Sequence, residues 1–299
     1  MPDSRRIRIR KRAAVALSAA ALLVCGAALS GCEASPGGGP KATARPSPSP
    51  SPSPAWDRSP ASVAAVGDSI TRGFDTCALL ADCPEASWAT GTDARVDSLA
   101  LRLLGASALP ARSWNLARSG ARMADLPVQM AAAAARKPGL VTVMAGANDA
   151  CRDSTALMTP VADFRASFEE AMRRLRVASP KSQVYVSSVP DLKRLWSVGR
   201  GNALGKQVWK LGICASMLGG ADDLSPAAEQ RRETVHGRVV AYNEVLRDVC
   251  AKDRLCRYDG GAVFAYRFTS RELSPWDWFH PSVGGQERLA EIAYRIITA

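Results

Sequence analysis

Histidine is nearly missing from this chain of 299 residues, which has two, His236 and His280. Any chemistry that needs an imidazole must run through one of them, and a zinc site built from several histidines has too few ligands. The spacing C-x-x-C does not occur either, which removes the usual cysteine-based zinc and redox motifs. Aromatic residues make up only 6% of the chain. Runs of lysine and arginine with interleaved aromatics, the footprint of a nucleic-acid groove, are absent. The formal net charge is +11, but the six basic residues among the first twelve, offset by Asp3, contribute +5 of it and leave about +6 for the rest. A charge of that size, spread along the sequence, reads as a solvated basic surface with some attraction to anionic envelope polymers or lipid heads, not as a nucleic-acid binder.

Arg5, Arg6, Arg8, Arg10, Lys11 and Arg12 precede an apolar run from 13 to 29 that holds no charge. The run is short for a spanning helix, and its basic flank fits an export signal. Leu29-Ser30-Gly31-Cys32 resembles the lipobox of bacterial lipoproteins, in which the cysteine is lipidated and becomes the mature N-terminus. The expectation is an export signal with lipobox over 1–31, then lipidated Cys32 with a Pro/Ser-rich linker over 32–60, then one catalytic domain over 61–299. The linker, with proline and serine alternating from 46 to 54, cannot bury a core and should extend as a polyproline-II-like spacer. The protein would then sit on the extracellular face of the cell membrane, held by its lipid. An ordinary secretory signal, with Cys32 incidental, is the alternative.

Of eight cysteines, Cys25 lies in the leader and Cys32 is the lipid candidate. The other six, Cys77, Cys83, Cys151, Cys214, Cys250 and Cys256, form an even set in an exported chain and read as three disulfides. Six cysteines allow 15 pairings. Cys77 with Cys83 and Cys250 with Cys256 are close in sequence and cost least to close, which leaves Cys151 with Cys214.

From residue 62 onward, short apolar runs alternate with helical patterns. Strands are predicted at 63–66, 114–117, 140–144 and 184–188, with a short fifth beginning at 257. Amphipathic helices are predicted at 94–104, 124–136, 164–177, 226–250 and 283–297. Near-continuous apolar strands alternating with helices imply a parallel sheet covered on both faces. In such folds the site forms beyond the carboxyl ends of the strands, and polar motifs follow the first three strands here.

His280 lies in Trp276-Asp277-Trp278-Phe279-His280-Pro281, just before the last helix. An acid three residues ahead can accept a proton from the ring, fix its tautomer and stabilise the imidazolium. His236, inside the long helix, reads as a surface residue. Gly67-Asp68-Ser69-Ile70 directly follows the first strand, where a serine on the turn is exposed at the site end and the glycine permits a tight turn. It is not G-x-S-x-G, which argues against the nucleophile elbow of the α/β-hydrolases. Ser119-Gly120 follows the second strand and Gly146-Ala147-Asn148-Asp149 the third. The backbone N–H groups of Ser69 and Gly120, with the Asn148 side-chain amide, would make a three-donor oxyanion hole.

These four pieces, in this order, resemble the SGNH/GDSL hydrolase family, with Ile70 where leucine is commonest. The resemblance runs from Val63 to the C-terminus. It implies a flavodoxin-like three-layer α/β/α sandwich with a mostly parallel five-stranded sheet. It further implies Ser69 as nucleophile, His280 as base, and Ser69, Gly120 and Asn148 as oxyanion hole. Asp277 carries over as the orienter, although some members use a backbone carbonyl instead. Asp68 and Asp149 are read as structural, bonding turn amides. The chemistry needs no metal or cofactor, and a monomer is expected. The three presumed disulfides also resemble those of secreted actinobacterial lipases in this family.

Substrate is less legible. The segment 195–224, with Trp196, Trp209, Leu211, Ile213, Met217 and Leu218, reads either as a lid or acyl-pocket wall or as a satellite core. An apolar wall favours lipid or other carboxylic esters. Trp276 and Trp278 suit a carbohydrate O-acetyl esterase, and a non-catalytic envelope-binding lipoprotein is the third reading.

Overall fold

The structure, a computed structural model, describes residues 55–299. The export signal, Cys32 and linker positions 32–54 lie outside the described residues. Five strands, β1 Val63–Gly67, β2 Ser113–Asn115, β3 Leu140–Met144, β4 Gln183–Val186 and β5 Cys256–Tyr258, form one parallel sheet in the order β2-β1-β3-β4-β5. This is the flavodoxin-like doubly wound order, with its switch point between β1 and β3. β1, β3 and β4 are buried at every position, whereas the edge strands β2 and β5 are half-buried. That is why the central strands read as unbroken apolar runs and not as alternating ones.

The helices Leu126–Ala135, Val161–Ala178 and Pro226–Cys250 pack in one layer, and Leu99–Leu104 with Val283–Thr298 in another. Phe164 stacks on Tyr242 with centroids 4.1 Å apart, locking two helices of the first layer. Local chemistry sets the ends. Ser225 accepts from Ala228 N–H ahead of Pro226, a favourable start for a helix. The helix expected over 94–104 begins only at Leu99, because Ser98 caps it and Asp97 turns to φ +46°. The second strand, expected over 114–117, stops at Asn115. Its ladder nevertheless continues through Leu116 N–H to Ala65 O and Arg118 N–H to Gly67 O.

The chain is already held at Trp56, whose indole N–H donates to Ile297 O at 2.9 Å while the Arg257 guanidinium lies over its ring. The last residues of the stretch read as linker therefore dock on the folded unit. Cys77–Cys83, Cys151–Cys214 and Cys250–Cys256 are disulfides, as expected, and they fit an exported protein. Among the described residues, no helix is long and apolar enough to cross a membrane.

Candidate active site

β1 and β3 run side by side and deliver their motifs to the same sheet edge. Gly67 ends β1 at φ +147°, and a Cβ there would lie 2.1 Å from Met144 O. Only glycine fits so close to the neighbouring strand. The Gln129 amide clasps the same residue, accepting from Gly67 N–H at 2.7 Å and donating to Gly67 O at 3.0 Å. Asp68 then turns the chain, its Oδ1 accepting from Ile70 N–H at 3.0 Å to cap the single turn Ser69–Arg72. Burial pushes the Asp68 carboxyl up to about 7, and its bonding is that of a turn residue.

Ser69 Oγ lies 2.9 Å from His280 Nε2, and His280 Nδ1 lies 2.5 Å from Asp277 Oδ2. Asp277 is fully buried, and its Oδ1 accepts from the N–H groups of Phe279 and His280, both at 2.9 Å. The three-residue spacing therefore folds back through the carboxylate itself. Trp278 sits between them at φ +54°, and the Trp209 indole N–H donates to Asp277 O at 2.7 Å. Phe74 meets the imidazole edge-on at 5.0 Å. Burial pushes the His280 ring down, but the charges of Asp277, Asp75 and Asp68 outweigh it and hold the imidazolium above its ordinary range. Burial likewise pushes Asp277 up, and the His280 charge and hydrogen bonds reverse that, leaving it below the usual carboxylate range.

Asn148 stands on the single turn Ala147–Ala150 after β3. It donates one amide N–H to Ala121 O at 3.0 Å, which leaves the other for a ligand. Gly120 has φ +79° on the turn after β2, and that turn is pinned by Arg118 N–H to Gly67 O at 3.1 Å. Ser69, Asn148 and His280 line one cavity of about 240 Å³; Gly120 lies outside that lining. The rest of its wall includes Ile70, Leu192, Leu195, Ile213, Phe279 and the Cys151–Cys214 disulfide.

Asp149 accepts from Met123 N–H at 2.8 Å, and burial pushes its carboxyl up to about 6, a structural use. His236 is half-buried and meets Asp191 Oδ1 at 3.1 Å through Nδ1, against the Phe264 ring. Asp75, Phe74, Gln129 and Gln286 are not singled out by the sequence, and Trp209 is singled out only as wall or core of the 195–224 segment, not as a partner of the Asp277 loop. Gln286 accepts from Trp88 N–H and donates to Ile70 O, both at 2.9 Å, which ties the last helix to the Ser69 turn. None of these carries a local motif, because each acts through contacts remote in sequence. Asp75, Asp277 and His280 bring one ligand atom each within 4.8 Å of one another. A metal there would have to displace the direct bond between His280 Nδ1 and Asp277.

A hydroxyl, an imidazole and a carboxylate thus stand in line at the carboxyl edge of a doubly wound sheet, beside an amide donor. The chain belongs to the GDSL-like lipase/acylhydrolase family, whose sequence pattern matches residues 65–288. No protein of curated function matches the sequence. Among solved structures it is similar to TesA, with 18% identity over 79% of this chain and 97% of that one at a TM-score of 0.45. The extracellular lipase from Streptomyces rimosus aligns at 16% identity over 80% of this chain and 99% of that one, TM-score 0.45. A family 3 carbohydrate esterase from Clostridium thermocellum aligns at 14% over 79% and 94%, TM-score 0.45.

Proposed function

We propose that this protein is an exported serine esterase that cleaves short- to medium-chain carboxylic esters through an acyl-enzyme on Ser69. The observation that carries the reading is the unbroken line Ser69 Oγ, His280 Nε2, His280 Nδ1, Asp277 Oδ2. In the acylation step His280 Nε2 takes the Ser69 proton while Oγ attacks the ester carbonyl carbon. Negative charge then moves to the carbonyl oxygen, where the free Asn148 N–H and the backbone N–H groups of Ser69 and Gly120 would meet it. His280 returns its proton to the leaving alkoxide as the C–O bond breaks. Water, deprotonated by His280, then releases the acid by the same steps. Asp277, a buried anion bonded to Nδ1, keeps the ring in the required tautomer and stabilises the imidazolium.

The acyl preference follows from the cavity. Its apolar wall suits an alkyl chain, and about 240 Å³ is below the roughly 300–1,000 Å³ of a drug-sized pocket. Sugar stacking has less support. Trp276 is 41% exposed but does not line the cavity, and Trp278 packs so closely on Gly205 that a Cβ there would lie 2.9 Å from its own. The insertion serves as wall and core at once: Leu192, Leu195 and Ile213 face the cavity, and Trp196, Trp209, Met217 and Leu218 are buried in the main core. Lipidation of Cys32 remains part of the proposal and rests on its four-residue motif. Its test is whether Cys32→Ala protein is released into the medium.

Fluorophosphonate labelling and hydrolysis of p-nitrophenyl esters from acetyl to palmitoyl, with Ser69→Ala as control, test the reading. The expected result is a single label on Ser69 and rates that peak below palmitoyl. Folded, oxidised protein that takes no label would overturn it, and turnover of acetyl esters alone would move the substrate to O-acetyl groups.

A further inference from the structure

Asp75 takes no part in the steps above, yet it is fully buried against them. Its backbone is gripped on both sides. The N–H donates to Ala81 O at 2.9 Å, and the carbonyl accepts from Ser274 Oγ at 2.6 Å. Next to it, Thr76 Oγ1 donates to Pro281 O at 3.1 Å. Positions 75 and 76 therefore hold both ends of the loop that carries Asp277 and His280. The Cys77–Cys83 disulfide closes the Asp75 loop. Within it Asp75 and Leu80 adopt φ +55° and +52°, a conformation that residues with a Cβ keep only where their surroundings over-determine it.

The side chain is the informative part. Asp75 Oδ1 accepts a hydrogen bond from Leu80 N–H. Asp75 Oδ2 is buried with no hydrogen-bond partner, and a carboxylate oxygen of Asp75 lies within 4.8 Å of one of Asp277. A buried, unpartnered carboxylate oxygen beside a second buried carboxylate is doubly unfavourable, once for desolvation and once for like-charge repulsion. A single proton relieves both costs, because it turns an orphan acceptor into a donor beside a second carboxylate and removes one of the two like charges.

We propose that Asp75 and Asp277 share one proton, so that Asp75 is a positioning residue that steadies the Asp277 carboxylate and sets the base strength of His280. The inference rests on the esterase reading above. Burial, then the charge of Asp277, pushes Asp75 up to about 6, which agrees with a proton held between the two. The charged or titratable groups that face it are Asp277 and His280 on the clamped loop, with Asp68 reaching the same ring from the β1 turn. As pH rises and the shared proton leaves, a second negative charge stands near His280 and raises the affinity of the ring for its own proton.

Two variants separate this role from plain packing. Asp75→Asn can still accept from Leu80 N–H and still donate to Asp277, but it cannot ionise. Asp75→Ala loses the donor. The expected result is a fall in kcat of about 10- to 100-fold for Asp75→Ala, the usual effect of losing a hydrogen bond to a charged group. Asp75→Asn should recover most of that loss, and its kcat/KM profile should have its inflection at lower pH than the wild type. An infrared difference spectrum of wild type minus Asp75→Asn, recorded below about pH 6, should contain a protonated-carboxyl stretch; it serves if the alanine variant does not fold. An Asp75→Asn profile with an unmoved inflection, or no such stretch, would overturn the proposal. Wild-type protein that fails to label with fluorophosphonate would instead overturn the esterase reading beneath it.

Discussion

The two sides of the cavity are held in different ways. Ser69 and Asn148 stand on single turns at the ends of β1 and β3, two central strands buried at every position. Leu192, Leu195 and Ile213 belong to an insertion of short helices, Leu192–Gly199, Ala203–Trp209 and Ala215–Leu218. That insertion is stapled to the Asn148 turn by Cys151–Cys214 and leaves Leu204 and Leu211 70% and 76% exposed. In the proposed reaction the two sides would divide the work accordingly. Charge stabilisation needs donors held to fractions of an ångström by rigid elements, whereas acyl selectivity needs only a wall of suitable volume.

Changes on the rigid side should therefore be severe and should act on kcat. Ser69→Ala should lower kcat/KM by about 10⁴- to 10⁶-fold with little change in thermal midpoint; a variant retaining a tenth of the activity would break the assignment. Asn148→Ala should lower kcat by about 100- to 1000-fold with KM nearly constant, and a loss confined to KM would place Asn148 in binding instead.

On the insertion side the effects should be smaller and of another kind. Replacing Cys151 and Cys214 together by serine opens a closure spanning a sequence separation of 63, worth about 4 kcal/mol by chain entropy. The denaturant midpoint should fall accordingly, and the longest acyl esters should gain or lose most. Equal losses on acetyl and octanoyl esters would show that the staple serves the oxyanion donor and not the wall. Ile213→Trp, which only fills space, should shift the chain-length optimum downward by about tenfold or less in relative kcat/KM.

The pH profile bears on the line that joins the two sides. In the proposed mechanism His280 accepts the Ser69 proton only when neutral, and the surrounding carboxylates hold its proton more tightly than in an isolated histidine. Activity should therefore rise with pH and level off only above the ordinary histidine value of about 6.5. Asp277→Asn removes the nearest of those charges and should move the inflection to lower pH as well as lowering the rate. An unchanged inflection in that variant would separate Asp277 from the titration of the ring.

Most of the sheet was legible because buried central strands advertise themselves as unbroken apolar runs; 140–144 in particular was read with the ends that β3 has. The edges were less so. β2 and β5 are only three residues long and half-buried, so neither periodicity nor hydropathy marks their ends. The catalytic candidates could be read because each motif is local: glycine at a strand end beside Ser69, and an acid three residues before His280. Asp75, Gln129, Trp209 and Gln286 have no such signature. Their partners are 62 to 216 positions away for the contacts that matter at Gly67 and Ile70, a separation that no window along the chain can span.

Taken by itself, the order of residues determined which stretches are unbroken apolar strands, which cysteines would be cheapest to join, and which serine and which of two histidines are the candidates for the chemistry. These are properties of local pattern and of scarcity. Only the tertiary structure decided that the Ser69 hydroxyl meets His280 at hydrogen-bond distance, that Trp278 is packed away from the cavity, and that a second buried carboxyl stands beside Asp277. The reason is physical: desolvation and proton sharing depend on what the fold brings within a few ångströms, and those neighbours come from loops that the sheet topology alone unites.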